Sequence, residues 1–435
     1  MTDPHEGELP APTPGQLALL AIPAAIVGIL SALILHGLNL VAELVGDFAW
    51  TTLPGMLGVD PTGWWILAVL TVTGLAVGIG LQVLPGHGGP DTATTELVSE
   101  PLRLGVLPGL AVVTAISLAG GVSLGPENPI IAINVALAVA VLGRFLPRIG
   151  PKLAMLMAGA GTIGALFGTP VAAALLFTGV LAAVRGGGAL WDKLFTPLVS
   201  ASVAAVTMHL LGAPPLQFQI PLEALEPIDL LWGALIAVAA TLVGLGATFL
   251  FPLVHRAFHA LRQPILIATA GGVVLGLLGM LGGPITLFKG LEQMGELLEN
   301  PDDYDAGQLA VIVGIKLAAL LVSASAAFRG GRVFPSAFIG VAFGMLAHAL
   351  VPDVPLALAV SCALLGILLV VTRDGWLALF LAVAVSGDIS LLPWLTAIVL
   401  PTWLLVSRAP EFRIIPTRRT PEADAADGPG PARRE

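Results

Sequence analysis

Charge is scarce in this chain of 435 residues. Asp, Glu, Lys and Arg together make up 11% of it, whereas soluble domains carry about 25%. Hydrophobic residues make up 56%, and the mean hydropathy is +0.95. This composition excludes a soluble globular protein and predicts a multi-pass protein of the plasma membrane, surrounded by lipid.

Cysteine and tyrosine occur once each, at Cys362 and Tyr304. A single cysteine cannot form an intramolecular disulfide, and Cys362 lies in an apolar run, so we expect a small buried residue there. The sequence also lacks a Walker loop, a haem motif and a His/Cys metal cluster. These absences predict a protein that is not an enzyme and that uses no cofactor and no metal ion.

Lys and Arg are absent before Arg103. The N-terminal tail, residues 1–14, therefore lacks the basic region of a signal peptide, and we expect the first apolar run to remain as a helix. The net charge of −9 arises largely from the N-terminal segment, the loop 292–305 and the C-terminal tail. It gives no reason to expect a nucleic-acid partner. Six arginines from Arg408 onward predict a cytoplasmic C-terminus, with residues 413–435 as a disordered tail.

What the chain does contain is a series of apolar runs of uneven length, which predicts an all-α polytopic protein. Spanning a bilayer takes roughly 20 apolar residues, and runs that end early at Gly or Pro predict tilted or partial helices. The long runs are 17–45, 64–84, 104–124, 230–250, 309–327 and 391–406. The short runs are 130–142, 153–167, 171–184, 334–350, 356–371 and 376–385.

Three Gly/Pro-rich breaks interrupt these runs. The first, residues 85–91, precedes a predicted short polar helix over 92–100; the second, 125–129, contains the lone acid Glu127; the third, 331–335, contains Arg332. A carboxylate at membrane depth is costly and so is a functional candidate. Helices that begin at such breaks present free N–H groups, which bind anions.

The second and third breaks are also an internal repeat, because both follow a G-x-x-x-P pattern after a long run and before a shorter one. At the offset that relates Gly125 to Gly331, three further residues of the first half recur in the second: Ile133 at Ile339, Val135 at Val341 and Ala136 at Ala342. Two such units in corresponding halves predict a binding site near the midplane, between inverted repeats.

Four motifs in order resemble the chloride channel (CLC) family of chloride channels and proton/chloride exchangers. Residues 86–90 (GHGGP) resemble the family's G-S-G-x-P, 125–129 (GPENP) its G-[RK]-E-G-P, 331–335 (GRVFP) its G-x-F-x-P, and 167–170 (FGTP) its F-N-A-P. The resemblance covers residues 15–412. It implies a membrane domain of two inverted-topology repeats, about 15–212 and 229–412, and a homodimer with one anion path per subunit.

The resemblance also assigns candidate roles. It implies that Glu127 is a gate that occupies an anion site until it is protonated or displaced. It implies that chloride, or another small anion, is the permeant ligand. The anion-binding positions that it implies are His87, Gly88, Gly89, Glu127, Asn128, Arg332, Val333 and Phe412.

Several positions depart from the family pattern. His87 stands where the family has an anion-binding serine, Pro126 where it has a basic residue, and Phe412, on a loose match, where it has a tyrosine. Proton-coupled members usually carry a glutamate ten residues past the proline of the F-N-A-P motif. Counting from Pro170, this chain has Val180 there. We therefore favour a gated chloride channel over a proton/anion antiporter. A non-transporting scaffold or sensor is a remote alternative.

Other roles are open for the ionisable residues. His87 is either an anion ligand or a loop histidine satisfied by its own neighbours. Arg332 either tunes the pore or pairs with Asp374 or with lipid phosphate. We expect Lys316 to be a buried lysine held by an acid or by carbonyls. Asp91 and Glu96 are expected to be first-turn charges of the predicted helix 92–100.

Overall fold

The structure, a computed structural model, describes residues 12–97, 100–182, 188–214 and 216–415. It is all-α, as predicted. The helices are α1 Pro14–Asp47, α2 Leu53–Leu57, α3 Trp64–Val83, α4 Leu107–Ala119, α5 Glu127–Phe145, α6 Pro151–Phe167, α7 Pro170–Ala182, α8 Leu190–Leu210, α9 Asp229–His259, α10 Pro264–Gly282, α11 Leu291–Glu299, α12 Ala306–Ser325, α13 Val333–Leu350, α14 Leu356–Thr372, α15 Gly375–Ser386 and α16 Leu392–Val406.

Nine helical stretches within the described ranges are long and apolar enough to cross a bilayer. The predicted mixture of long and short helices is confirmed, but the assignments of three runs were wrong. The run 104–124 gives only the short helix α4, because Gly120 and Gly121 end it. The runs 130–142 and 334–350 give the longer helices α5 and α13, because α5 includes Glu127 and Asn128 in its first turn and extends to Phe145, and α13 begins at Val333.

The two halves contain a similar order of long and short helices, as the predicted repeat requires. The equivalent breaks lie between α4 and α5 in the first half and between α12 and α13 in the second. The predicted boundary between halves, 212–229, falls between α8 and α9. The predicted tail is only partly described: Ile414 donates its N–H to the carbonyl of Ala93 (2.7 Å), so the chain still packs on the membrane domain at this point. Of the predicted tails 1–14 and 413–435, residues 1–11 and 416–435 lie outside the described residues.

Helices α3 and α10 hold the halves together through small residues. A methyl group built on Gly272 would overlap the backbone carbonyl of Leu70, and one built on Gly74 would overlap that of Ala268. Glycine is therefore required for this close approach of the two backbones, as is common where membrane helices pack without a hydrophobic driving force.

Lys316 on α12 is fully buried, and its Nζ donates to the carbonyls of Thr286 (3.0 Å), Leu287 (2.8 Å) and Phe288 (2.8 Å). The prediction of a carbonyl-bound lysine is confirmed. Its ammonium also lies 4.9 Å from the ring centre of Phe338. Cys362 is buried in the apolar core, as predicted.

We predict that Gly272→Ala lowers the apparent thermal midpoint of the detergent-purified protein, because overpacking a close interface costs about 1–3 kcal/mol. Gly246→Ala on α9 is the matched control, since nothing lies within 4 Å of a methyl group built there. Alanine at that position should leave the midpoint unchanged or raise it, given its gain of about 0.5–1 kcal/mol over glycine in a helix. Equal midpoints for the two variants would contradict the packing role of Gly272.

Candidate functional site

The second and third breaks are joined directly by backbone hydrogen bonds. Gly125 donates its N–H to the carbonyl of Gly331 (2.8 Å), and Gly331 donates to the carbonyl of Gly125 (2.6 Å). The two residues are repeat equivalents, so the pair lies where the halves meet. As a result, helices α5 and α13 begin side by side, inside the protein.

Both helix starts lack the usual side-chain cap. The N-cap residues are Pro126 for α5 and Arg332 for α13, and neither makes a capping hydrogen bond. Pro129 and Pro335, which have no N–H, are the third residue of each helix. The first turn of each helix thus presents a few backbone N–H groups that have no acceptor within the helix, together with the positive end of the helix dipole. This arrangement favours an anion.

Glu127 fills this space. Its side chain is fully buried, and its Oε1 accepts the N–H of Phe334 on α13 (2.8 Å), whereas its Oε2 has no hydrogen-bond partner. A methyl group on Gly125 or Gly331 would overlap the carboxylate, which explains why both breaks need glycine here. The acid of one half therefore binds the open helix end of the other half, as a small anion could.

Arg332 is buried next to this site and bonds to the C-terminal segment. Its guanidinium donates to the carbonyls of Phe412 and Thr95 (3.2 Å to the latter), and it lies 5.6 Å from the ring centre of Phe412. That ring stacks on Phe251 with 4.8 Å between centres. The alternative in which Arg332 pairs with Asp374 is not among the contacts of the described residues.

Arg329, which the sequence analysis did not single out, connects the third break to the first. Its Nε donates to the carbonyl of Gly88 (3.2 Å), and a terminal nitrogen lies 3.7 Å from a carboxylate oxygen of Asp91. Thr92 adds a second connection, since its hydroxyl donates to the carbonyl of Phe328 (2.7 Å). The available indication was an arginine just before the third break, in a chain with few charges.

The predicted helix 92–100 is wrong over its described part, where residues 92–97 form turns. The hydroxyls of Thr94 and Thr95 both donate to the carbonyl of Asp91, a local bonding that competes with a helix. Asp91 and Glu96 are therefore not first-turn helix charges, and Glu96 instead pairs with Arg413. Burial opposes ionisation of Asp91, but the nearby imidazoles of His255 and His259 and the charge of Arg329 outweigh it and hold the pKa of Asp91 well below its usual value.

The first break is oriented differently from the prediction. His87 is exposed, and its Nδ1 lies 3.1 Å from the carbonyl of Leu81, which matches the alternative of a loop histidine satisfied by a neighbour. The N–H of Gly89 donates to the carbonyl of Gly86 (3.0 Å), so it is not free for an anion in this conformation. The buried Gly88 presents its carbonyl to Arg329.

A cavity of about 740 Å³ reaches the start of α13. Four of the predicted anion-binding residues line it, together with Val180 and with four basic and three acidic side chains. The predicted residues are Asn128, Arg332, Val333 and Phe412; the basic ones are Lys152, Arg332, Arg373 and Arg413; the acidic ones are Glu96, Asp374 and Glu411. His87, Gly88, Gly89 and Glu127 are not among its lining residues.

Comparison with known proteins agrees with this geometry. A sequence model of the family described as "Voltage gated chloride channel" matches residues 73–406. The chain belongs to the voltage-gated chloride channel family. Relatives include the "Putative ion-transport protein YfeO" of Escherichia coli O9:H4 (strain HS) and that of Escherichia fergusonii, each 44% identical over 414 residues, or 94% of this chain and 98% of the relative. Family membership and the nine spans make this a multi-pass plasma-membrane protein and support anion transport rather than catalysis.

Solved structures of the same fold are more distant in sequence. A CLC-type fluoride/proton antiporter aligns with a TM-score of 0.73 and 18% identity, over 92% of this chain and 98% of that one. A slow cyanobacterial Cl⁻/H⁺ antiporter aligns with a TM-score of 0.73 and 15% identity, over 89% and 93%. At such identities the likeness establishes the fold of the voltage-gated chloride channel family and no more.

We predict that Arg329→Met lowers both the thermal midpoint and the anion flux. The substitution leaves the buried carbonyl of Gly88 without its hydrogen-bond donor, which costs about 1–3 kcal/mol. It also removes a contact that connects the first break to the third. Arg256→Met is the control, because Arg256 is exposed and its Nε donates to the carbonyl of Pro252 in the same helix. Thermal unfolding and liposome flux should separate the two variants. Identical behaviour would show that Arg329 does not connect the breaks.

Proposed function

We propose that the protein is a selective anion channel, most suited to chloride, in which the Glu127 carboxylate is the gate. The observation that carries this proposal is the hydrogen bond from the Phe334 N–H to Glu127 at the uncapped start of α13. An anion and the carboxylate compete for the same donor. The path opens when Glu127 is protonated or displaced.

Dehydration of the anion has to be offset along this path. Backbone N–H groups at the starts of α5 and α13, at Glu127, Asn128 and Val333, supply donors together with the positive helix ends. Arg332 adds positive potential beside them, and its own hydrogen bonds to Thr95 and Phe412 hold it in place. A contribution from His87, Gly88 and Gly89 would need the first break to change conformation, and it stays a prediction.

The channel mode is favoured by Val180. It stands at the position where proton-coupled members of the family usually have a glutamate, and it lines the cavity with 59% of its surface exposed. Because valine cannot carry a proton, no acid at this position leads protons from the cavity to Glu127. The family resemblance further implies a homodimer, and we propose that each subunit conducts through its own site.

Proton/anion antiport is the second candidate. Two of the similar structures are antiporters, and the Oε2 of Glu127 is buried without a partner, where it could take up a proton that arrives through water. In this mode Glu127 alone would exchange protons between the two sides.

We predict that Glu127→Gln raises chloride flux at neutral pH by roughly tenfold and abolishes its dependence on pH. The neutral amide no longer mimics an anion, and the charge-assisted hydrogen bond that it replaces is worth about 1.5–3 kcal/mol. Chloride efflux from liposomes between pH 5 and 8 measures both effects.

Glu292→Gln is the matched control, because Glu292 lies on α11, outside this site. It should behave as the wild type. A Glu127→Gln protein that retains the wild-type pH dependence would refute the gating role, even if its flux changed.

We also predict that chloride flux through the wild-type protein moves no protons. Reconstituted vesicles under a chloride gradient should reverse at the chloride equilibrium potential, and a pH-sensitive dye should report no proton uptake. A fixed ratio of protons to chloride would instead establish the antiporter and show that Glu127 exchanges protons without an acid at position 180.

A further inference from the structure

Away from the proposed gate, three side chains of metal-ligand type converge where the first break meets α9. The Nε2 atoms of His255 and His259 each lie 3.6 Å from Oδ2 of Asp91. One ligand atom from each of the three residues lies within 4.8 Å of the others, and all three side chains are partly buried. Because the third donor comes from a distant part of the chain, the sequence showed no metal cluster here.

Among the described residues, the two imidazole Nε2 atoms are not taken by other hydrogen bonds. His259 has its Nδ1 3.0 Å from the carbonyl of His255, a contact that places the proton on Nδ1 and leaves the Nε2 lone pair free. The Nε2 of His255 is buried and has no hydrogen-bond partner. On Asp91, Oδ1 faces Arg329 and the N–H of Ala93, so Oδ2 is the oxygen left for the imidazoles.

The separations fit a shared metal ion better than direct hydrogen bonds. Nitrogen–oxygen hydrogen bonds span about 2.7–3.2 Å, and both imidazole–carboxylate distances here are 3.6 Å. Two ligands on one tetrahedral ion, at metal–ligand distances of about 2.0–2.1 Å, are separated by about 3.4 Å. The two rings are stacked with their centres 3.8 Å apart, so their planes would have to turn toward each other for both lone pairs to reach one ion.

We propose that Asp91, His255 and His259 form a binding site for one divalent transition-metal ion of the zinc, cobalt or nickel class. Two imidazoles and one carboxylate suit these ions, whereas calcium and magnesium prefer oxygen donors alone. Three protein ligands leave a coordination position for water. The spacing of the two histidines, one helical turn apart on α9, puts both rings on the same face.

The site has a structural consequence for the transport region. Asp91 belongs to the first break, which Arg329 attaches to the third, so a bound ion would clamp α9 to the loops around the site. Metal binding itself does not depend on the proposed function, and the two can fail separately.

The test is a zinc titration of the full-length protein in detergent, purified with an affinity tag that contains no histidine. We expect isothermal titration calorimetry to detect one zinc ion per chain at micromolar affinity. His255→Ala and His259→Gln should each weaken binding by at least tenfold. His209→Ala, at the exposed end of α8, is the matched control and should bind as the wild type does.

Gel filtration separates loss of the site from loss of the fold, and His259→Gln keeps a polar side chain of similar size for that reason. Zinc-edge X-ray absorption should report two imidazole nitrogens at about 2.0 Å in the wild type and one in His259→Gln. The proposal is overturned if the wild type takes up no zinc at micromolar concentration, or if both variants bind it with unchanged affinity and coordination.

Discussion

The structure depends on one constraint, the pair of backbone hydrogen bonds between Gly125 and Gly331. These bonds join equivalent breaks of the two repeats, so that two helices begin next to each other in the interior rather than at the membrane surface. Neither helix start has a side-chain cap, and in a medium without water their donors must find a partner within the protein or a ligand. The Glu127 carboxylate is that partner, and the glycines leave room for it. The chemistry of the site therefore follows from where two helices are forced to start.

Charge is rare in this protein, and the backbone binds three of its buried basic residues. Lys316 binds three carbonyls, Arg332 binds those of Thr95 and Phe412, and Arg329 binds the first break. These interactions tie breaks and helix ends to one another. An unsatisfied charge in this environment would cost several kcal/mol, so each basic residue effectively fixes the loop whose carbonyls it binds. The loops around Glu127 are thereby positioned by electrostatics as well as by packing.

Much of this arrangement could be predicted from the sequence, because it follows from patterns of residues that are close together in the chain. Apolar runs interrupted by Gly and Pro gave the all-α fold, and the repeated G-x-x-x-P pattern gave the meeting of Glu127 with the third break. What the local patterns did not reveal were the hydrogen-bond partners of individual polar side chains. The hydroxyl of Thr92 bonds across the molecule, where a short helix had been predicted, and the imidazole of His87 faces a carbonyl of its own segment. Arg329 and the group around Asp91 join residues far apart in the chain, which no local pattern can reveal.

The central claim is that the Glu127 carboxylate occupies a site that an anion can take. Crystals of Glu127→Ala soaked in bromide, with anomalous diffraction, test it most directly. The account predicts a bromide peak within hydrogen-bonding reach of the Phe334 N–H, in the space that the carboxylate leaves, and no peak there in wild-type crystals with Glu127 in place. An empty site in the variant at saturating bromide, or bromide at that position in the wild type beside an undisplaced carboxylate, would contradict it.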